Sequence, residues 1–174
     1  MYITLNDAAE LICKIERRPD KPYVLRQLKA AYAAKFISPE DNNGPRGAGR
    51  YSPTEICKAR LLLAAIRGTT DSTTIVAAFE DKRFAFAMAQ MEGDASWNLV
   101  VSTVTLFDTA ELGHTFVWER IGADGTRDRG TSGYADPTAP ETESVGGTIE
   151  EVKVYRFTNL CRPLWQALTE TGRG

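Results

Sequence analysis

Residues 38–60 read SPEDNNGPRGAGRYSPTEICKAR, and the organisation of the chain turns on how this stretch divides. Its first part, Glu40 to Gly49, crowds Asn42-Asn43-Gly44-Pro45 and Gly47-Ala48-Gly49 into ten positions. Asn and Gly reach positive φ cheaply and Pro presets φ, so this composition predicts a hairpin tip. Such a loop buries no core, yet it carries Arg46 and leads into Arg50-Tyr51. The second part opens on Ser52-Pro53-Thr54-Glu55, a capping box with Pro at the first helical position and Glu three residues after the cap. It predicts a helix to about Arg67, burying Ile56, Ala59, Leu63 and Ile66 or close neighbours, and Gly68 ends it.

Working back toward the N-terminus, two shorter helices are expected. The first covers 6–15, capped by Asn6 or Asp7, with Ala8, Leu11, Ile12 and Ile15 on one face at spacings of three and four. Glu16-Arg17-Arg18-Pro19-Asp20-Lys21-Pro22 is a polar turn broken by two prolines. The second runs from Pro22 to Lys35, with Val24, Leu25, Leu28, Ala31 and Tyr32 as its apolar face. Phe36-Ile37 closes the unit and Pro39 stops it.

Working forward, a helix over 72–91 carries Ile75, Val76, Phe79, Phe84, Phe86 and Met88, a density that packs a core or a second copy of the chain. After Gly93-Asp94 the period changes. Trp97–Phe107 is rich in Val, Thr and Leu and reads as a strand, with His114–Ile121 its antiparallel partner. Residues 122–148 lose all periodicity and are expected to form a long loop. Val152–Phe157 is a third strand. Phe157, Leu160, Cys161, Leu164, Trp165 and Leu168 then form one broad apolar stripe on a helix, with Pro163 in its first turn or at a kink. That stripe covers the sheet or forms a dimer seam.

The chain has 174 residues, 43% hydrophobic and 25% charged. No apolar run nears the roughly 20 residues that span a bilayer, and the first residues lack a signal-peptide pattern, so no membrane partner and a cytoplasmic location are expected. The net charge of −2 conceals an asymmetry: residues 1–70 hold twelve Lys/Arg and seven Asp/Glu, a net +5, while residues 71–174 hold nine and sixteen, a net −7. A basic segment joined to an acidic remainder fits a polyanion-binding module with a separate partner. Cys13, Cys57 and Cys161 are scattered and read as buried thiols, not as a disulfide framework or a zinc site.

No catalytic, cofactor or metal constellation emerges, and an enzyme is not expected. His114 is the only histidine, in a strand pattern, with no HExxH. Gly44 to Gly49 is followed by no Gly-Lys-Ser/Thr, so it is not a P-loop. Asp124-Gly125 with Asp128 misses calcium-loop spacing. Glu150 and Glu151 are neighbours in a strand and point to opposite faces.

Residues 1–68 thus order as helix, polar turn, helix, glycine-rich hairpin and capped helix. With Leu25-Arg26 in the second helix, Phe36-Ile37-Ser38-Pro39 after it, and Arg46 and Gly49-Arg50-Tyr51-Ser52 before the third, this segment resembles the DNA-binding domain of MerR-type regulators. The resemblance covers under half the chain. Gln27-Leu28 stands where the family places an aromatic pair, and the interval from Arg26 to Phe36 is longer by nearly a turn. The resemblance implies a winged helix-turn-helix at 1–70; the residue patterns beyond it, which resemble no MerR effector domain, add a linking or dimerisation helix at 71–93 and a small α/β effector or dimerisation domain at 94–174 with antiparallel strands and a C-terminal amphipathic helix, so the expected fold is α+β. The resemblance also implies double-stranded DNA as partner and a homodimer, with helix 22–35 in the major groove and wing 40–51 on the flanking backbone.

Charge and geometry name the same surface. Arg26, Lys29, Lys35, Arg46 and Arg50 are candidate phosphate contacts that would release counterions, with Arg17, Arg18 and Lys21 as a second group. Tyr23 and Tyr51 complete the expected interface, and the Gln27 amide matches an adenine edge. The C-terminal part is expected to take a protein or small-molecule effector. An excisionase-like architectural protein and a protein-interaction adaptor are the alternatives.

Overall fold

The computed structural model describes residues 2–68, 70–107, 109–129 and 147–170. In chain order its elements are α1 (Leu5–Ile15), α2 (Lys21–Ala33), a single 3-10 turn (Pro45–Gly47), α3 (Pro53–Arg67), α4 (Ser72–Glu80), α5 (Lys82–Ala89), β1 (Ser96–Leu106), β2 (Leu112–Ile121), β3 (Arg127–Arg129), β4 (Gly147–Tyr155) and α6 (Phe157–Glu170). The chain is a mixed α+β protein and divides into two units, one of residues 1–64 with 159–174 and one of residues 65–158. The charge asymmetry follows this division. The first unit has thirteen Lys/Arg and eight Asp/Glu, the second eight and fifteen.

In the first unit, α1 and α2 pack together. α1 starts one turn earlier than Asn6 or Asp7 would cap it: the Thr4 hydroxyl accepts from Asp7 N at 3.3 Å and donates to the Asp7 carboxylate at 2.8 Å. α2 turns Val24, Leu28 and Ala31 inward. α3 is capped by Ser52, whose Oγ accepts from Glu55 N at 3.4 Å. The Glu55 carboxylate reaches beyond the box to accept from Ser38 N at 2.8 Å, tying the exit of α2 to the start of α3. Ile56, Ala59 and Leu63 are buried as expected, while Ile66 is 44% exposed and Ala65 is buried in its stead.

From residue 159 onward α6 belongs to this helical unit, not to the sheet it was expected to cover. Cys161 faces Cys57: each thiol donates to the other residue's carbonyl, at 3.6 and 4.0 Å. All three cysteines are free and buried, as the sequence implies. Burial pushes the Cys161 thiol well above its ordinary range.

The second unit holds an antiparallel sheet in the order β3-β2-β1-β4. β1 and β2 pair antiparallel as expected, with Leu99 opposite Trp118 and Val101 opposite Phe116. β4 begins at Gly147, five residues before the expected strand, and ends at Tyr155, so Phe157 opens α6 instead of closing the strand. A bulge opposite Thr103 and Val104 absorbs one extra residue of β4. The expected loop over 122–148 is partly structured: Gly122 N donates to Thr126 O at 2.8 Å across a tight turn, and Arg127–Arg129 pairs with β2. Residues 130–146 of that expected loop lie outside the described residues.

The single helix expected over 72–91 is two. Asp81 adopts extended backbone between them, and its carboxylate caps α5 by accepting from Arg83 N at 2.8 Å. Phe84, Trp118 and Phe157 form the aromatic centre of this unit, with ring centroids 5.1–5.9 Å apart. Trp118 is fully buried, and its indole N–H donates to Ala78 O at 3.0 Å, satisfying a carbonyl that the end of α4 leaves open.

Candidate nucleic-acid interface

The first unit turns one face of α2 to solvent. With Val24, Leu28 and Ala31 inward, the 3.6-residue period sends Pro22, Arg26, Lys29, Ala30 and Ala33 outward, and all five are exposed. Arg26 does not hang free: its guanidinium lies 5.4 Å from the Tyr23 ring centroid, one turn back. Tyr23, expected as a phosphate donor, therefore supports Arg26 by a cation–π contact. Gln27 sits half-buried on the flank of this face.

The loop after α2 closes on itself as the expected hairpin. Glu40 N donates to Arg50 O and Arg50 N to Asp41 O, both at 2.8 Å, and Gly44 N donates to Ala48 O at 2.9 Å. Gly44 is required at this closure, because a Cβ there would meet Ala48 O at 2.4 Å. A single β-bridge closes the base: Ile3 and Tyr51 exchange backbone hydrogen bonds at 2.9 and 3.1 Å. Ile3 was not legible as a pairing residue, since one bridge leaves no alternation to read. Tyr51 sets the ring of Tyr32 edge-on at 6.2 Å, which brings the base of the hairpin beside the last turn of α2. At the tip, Arg46 is exposed with φ +58°.

The expected site residues then separate into three groups. Arg26, Lys29, Lys35, Arg46 and Arg17 are exposed cations that enter no ion pair among the described residues. Lys21 and Arg50 are surface cations already engaged. Lys21 Nζ lies 2.8 Å from a Glu10 carboxylate oxygen. Arg50 grips Asp41 with two N–H donors at 2.9 and 2.7 Å and passes 5.7 Å from the Tyr2 ring. That grip holds the Asp41 carboxyl down to about 2 from its ordinary 3.8 and makes Arg50 a clasp for the hairpin.

Arg18 and Tyr51 form the third group and are withdrawn from the surface. The Arg18 side chain is 12% exposed, bonded to Asp20 at 2.6 and 2.8 Å and to Glu16 at 3.3 Å. Glu16 also pairs with Arg60 of α3, so this network fixes the α1–α2 turn. Tyr51 is 2% exposed, and burial raises its phenol. Neither is presented to a duplex. The aspartates that claim Arg18 and Arg50 stand two and nine residues away, and only the nearer is visible as a sequence neighbour.

The acidic unit offers less. Gln90, Gly93, Asp94, Ala95, Arg120 and Ala123 line an open cleft of about 280 Å³, just under the roughly 300–1,000 Å³ usual for small-molecule sites. His114 is exposed beside Thr103, 3.3 Å from Nδ1 to the hydroxyl. Among the described residues, no group of three His, Cys, Asp or Glu is arranged to hold a metal ion, and no helix is long and apolar enough to cross a membrane. No family model matches the chain, and neither curated proteins nor solved structures show a significant similarity to it.

Proposed function

We propose that the first unit is a MerR-like winged helix-turn-helix that binds double-stranded DNA sequence-specifically, and that the protein is a transcriptional regulator and not an enzyme. The observation that carries this reading is the pairing of an exposed Arg26–Lys29 face on α2 with a clasped hairpin beside the same helix. A helix with small Ala30 and Ala33 between its cations can approach base edges closely. Arg26 is the base-reading residue, and its guanidinium fork suits a guanine edge. Lys29 and Arg46 meet phosphates. Gln27 is a flanking reader.

A homodimer places two such helices on half-sites about one helical turn apart. The second unit, with its net −7, is repelled by a duplex and serves instead as the dimerisation or effector part. The cleft's small volume favours a protein partner there over a small molecule. A cytoplasmic location accords with this reading.

Selection of bound fragments from a random duplex pool, followed by titration at two salt concentrations, tests the proposal. A single enriched motif with two half-sites, bound less tightly as salt rises, supports it. Phased multiple sites with a strong bend would instead indicate an architectural, excisionase-like role. No duplex affinity at any salt concentration would leave the unit as a protein-binding adaptor.

A further inference from the structure

Among the described residues four non-glycine positions have positive φ, and three are cations of the basic unit: Arg17 at +52°, Lys35 at +60° and Arg46 at +58°. Arg17 and Lys35 occupy equivalent places. Each follows a helix and sits where the chain reverses into a left-handed residue. Arg18 N donates to Cys13 O and Arg17 N to Lys14 O at the end of α1. Phe36 N donates to Ala31 O and Lys35 N to Tyr32 O at the end of α2. This double bonding is the Schellman closure, whose left-handed position belongs by sterics to glycine. A cation near a helix C-terminus gains from the helix dipole, but that gain is smaller than the steric penalty of a left-handed side chain. Fold stability alone would place glycine at both sites, yet both keep long, exposed, unpaired positive side chains.

We infer that Arg17 and Lys35 are a pair of phosphate clamps at the two ends of α2, one for each strand bordering the groove. This rests on the DNA-binding reading above and gives two of its candidate phosphate contacts, which stand outside the Arg26–Lys29 face, a defined place at the ends of α2. α2 has thirteen residues and so is about 20 Å long, whereas the major groove is about 12 Å wide. The groove curves around the duplex, so a straight helix seated in it runs out toward the backbones at both ends. Arg17 stands four residues ahead of its first turn and Lys35 two residues past its last, where the two backbones run. Both side chains are long enough to reach a phosphate without moving the helix.

The test uses the full chain and a fluorescent mixed-sequence duplex, with affinity followed across a salt series. The double substitution Arg17→Gly with Lys35→Gly removes two phosphate contacts, so the slope of log affinity on log salt becomes shallower by about 1.8. Its thermal midpoint holds or rises, which separates lost contact from lost fold. The pair Arg17→Asn with Lys35→Asn, whose side chains also accept left-handed backbone, gives the same slope change and guards against a glycine-specific loosening. Arg17→Lys with Lys35→Arg keeps the wild-type slope. Lys82→Gln, which removes an exposed cation from the acidic unit, changes nothing. If the wild-type protein binds the duplex and the glycine and asparagine pairs keep its slope, the clamps are refuted while the DNA-binding reading stands. If the wild-type protein binds no duplex, both fall together.

Discussion

Replacing Arg26 with Ala separates a recognition residue from a structural one, because its expected effects on folding and on binding differ widely. The guanidinium is exposed and its described contact is the Tyr23 ring, 5.4 Å away. An exposed cation–π pair is worth about 0.5–1 kcal/mol, and part of that is returned because Ala is the better helix former. The urea-unfolding free energy of the variant should therefore lie within about 0.5 kcal/mol of the wild type. A bidentate contact to a base edge discriminates by about 1–3 kcal/mol, so affinity for the selected site should fall roughly 5- to 150-fold. Fluorescence anisotropy against the selected duplex and a scrambled one measures this. The loss should be confined to the selected sequence, and Arg26→Lys should restore the salt slope without restoring discrimination. Wild-type affinity for the selected duplex in the alanine variant would refute the assignment. An equal loss on both duplexes would show that Arg26 meets a phosphate and reads no base.

Three further outcomes follow from the packing. Trp118→Phe leaves the Ala78 carbonyl unpartnered and a void in the aromatic centre; it should cost about 2–4 kcal/mol in urea unfolding, and a loss below about 1 kcal/mol would mean that the indole bond contributes little. Gly44→Ala forces a Cβ against Ala48 O; amide signals of 41–50 should broaden or shift while those of α1 and α2 stay put, and an unchanged hairpin spectrum would contradict the closure described. Asp41 is held below its ordinary range by Arg50, so the clasp is complete above pH 3.8 and is lost as pH falls toward about 2. The protection factor of the Asn43 amide, which donates to Asp41 at 2.9 Å, should fall in that window, and a fall already at pH 5 would point to a different group.

Much of the helical architecture was legible because its signals are local. The capping box at Ser52 and the periodic apolar positions of α1, α2 and α3 each act within a few residues. The failures also have local causes. Asp81 is an N-cap inside what reads as one long apolar helix, and only its extended backbone shows that α4 and α5 are separate. β3 is Arg-Asp-Arg, exposed at all three positions, and carries no alternation. It forms because its arginines lie across from buried Glu119, with Arg129 at 2.9 Å and Arg127 at 3.6 Å. The first half of β4 holds Glu150 and Glu151 on an edge strand beside a bulge, where the period-2 pattern is broken. The destination of α6 was beyond reach in principle, since an apolar stripe states that something covers it but not what.

The interface divides along a different line. Counting cations gives eight basic residues of equal standing between Arg17 and Arg50, and the structure makes them unequal through the carboxylates each one meets. Arg18 and Arg50 have Asp20 and Asp41 in bidentate reach and spend their charge on the turn and the hairpin. Arg26, Lys29 and Arg46 have no such partner among the described residues and remain available to an anion. A surface cation in ordinary helix costs the fold nothing. One held at positive φ, as Arg17, Lys35 and Arg46 are, opposes the local preference of its own backbone. Those three residues hold their charge against the preference of their own backbone, and the salt series on the Arg17 and Lys35 glycine pair tests what two of them do.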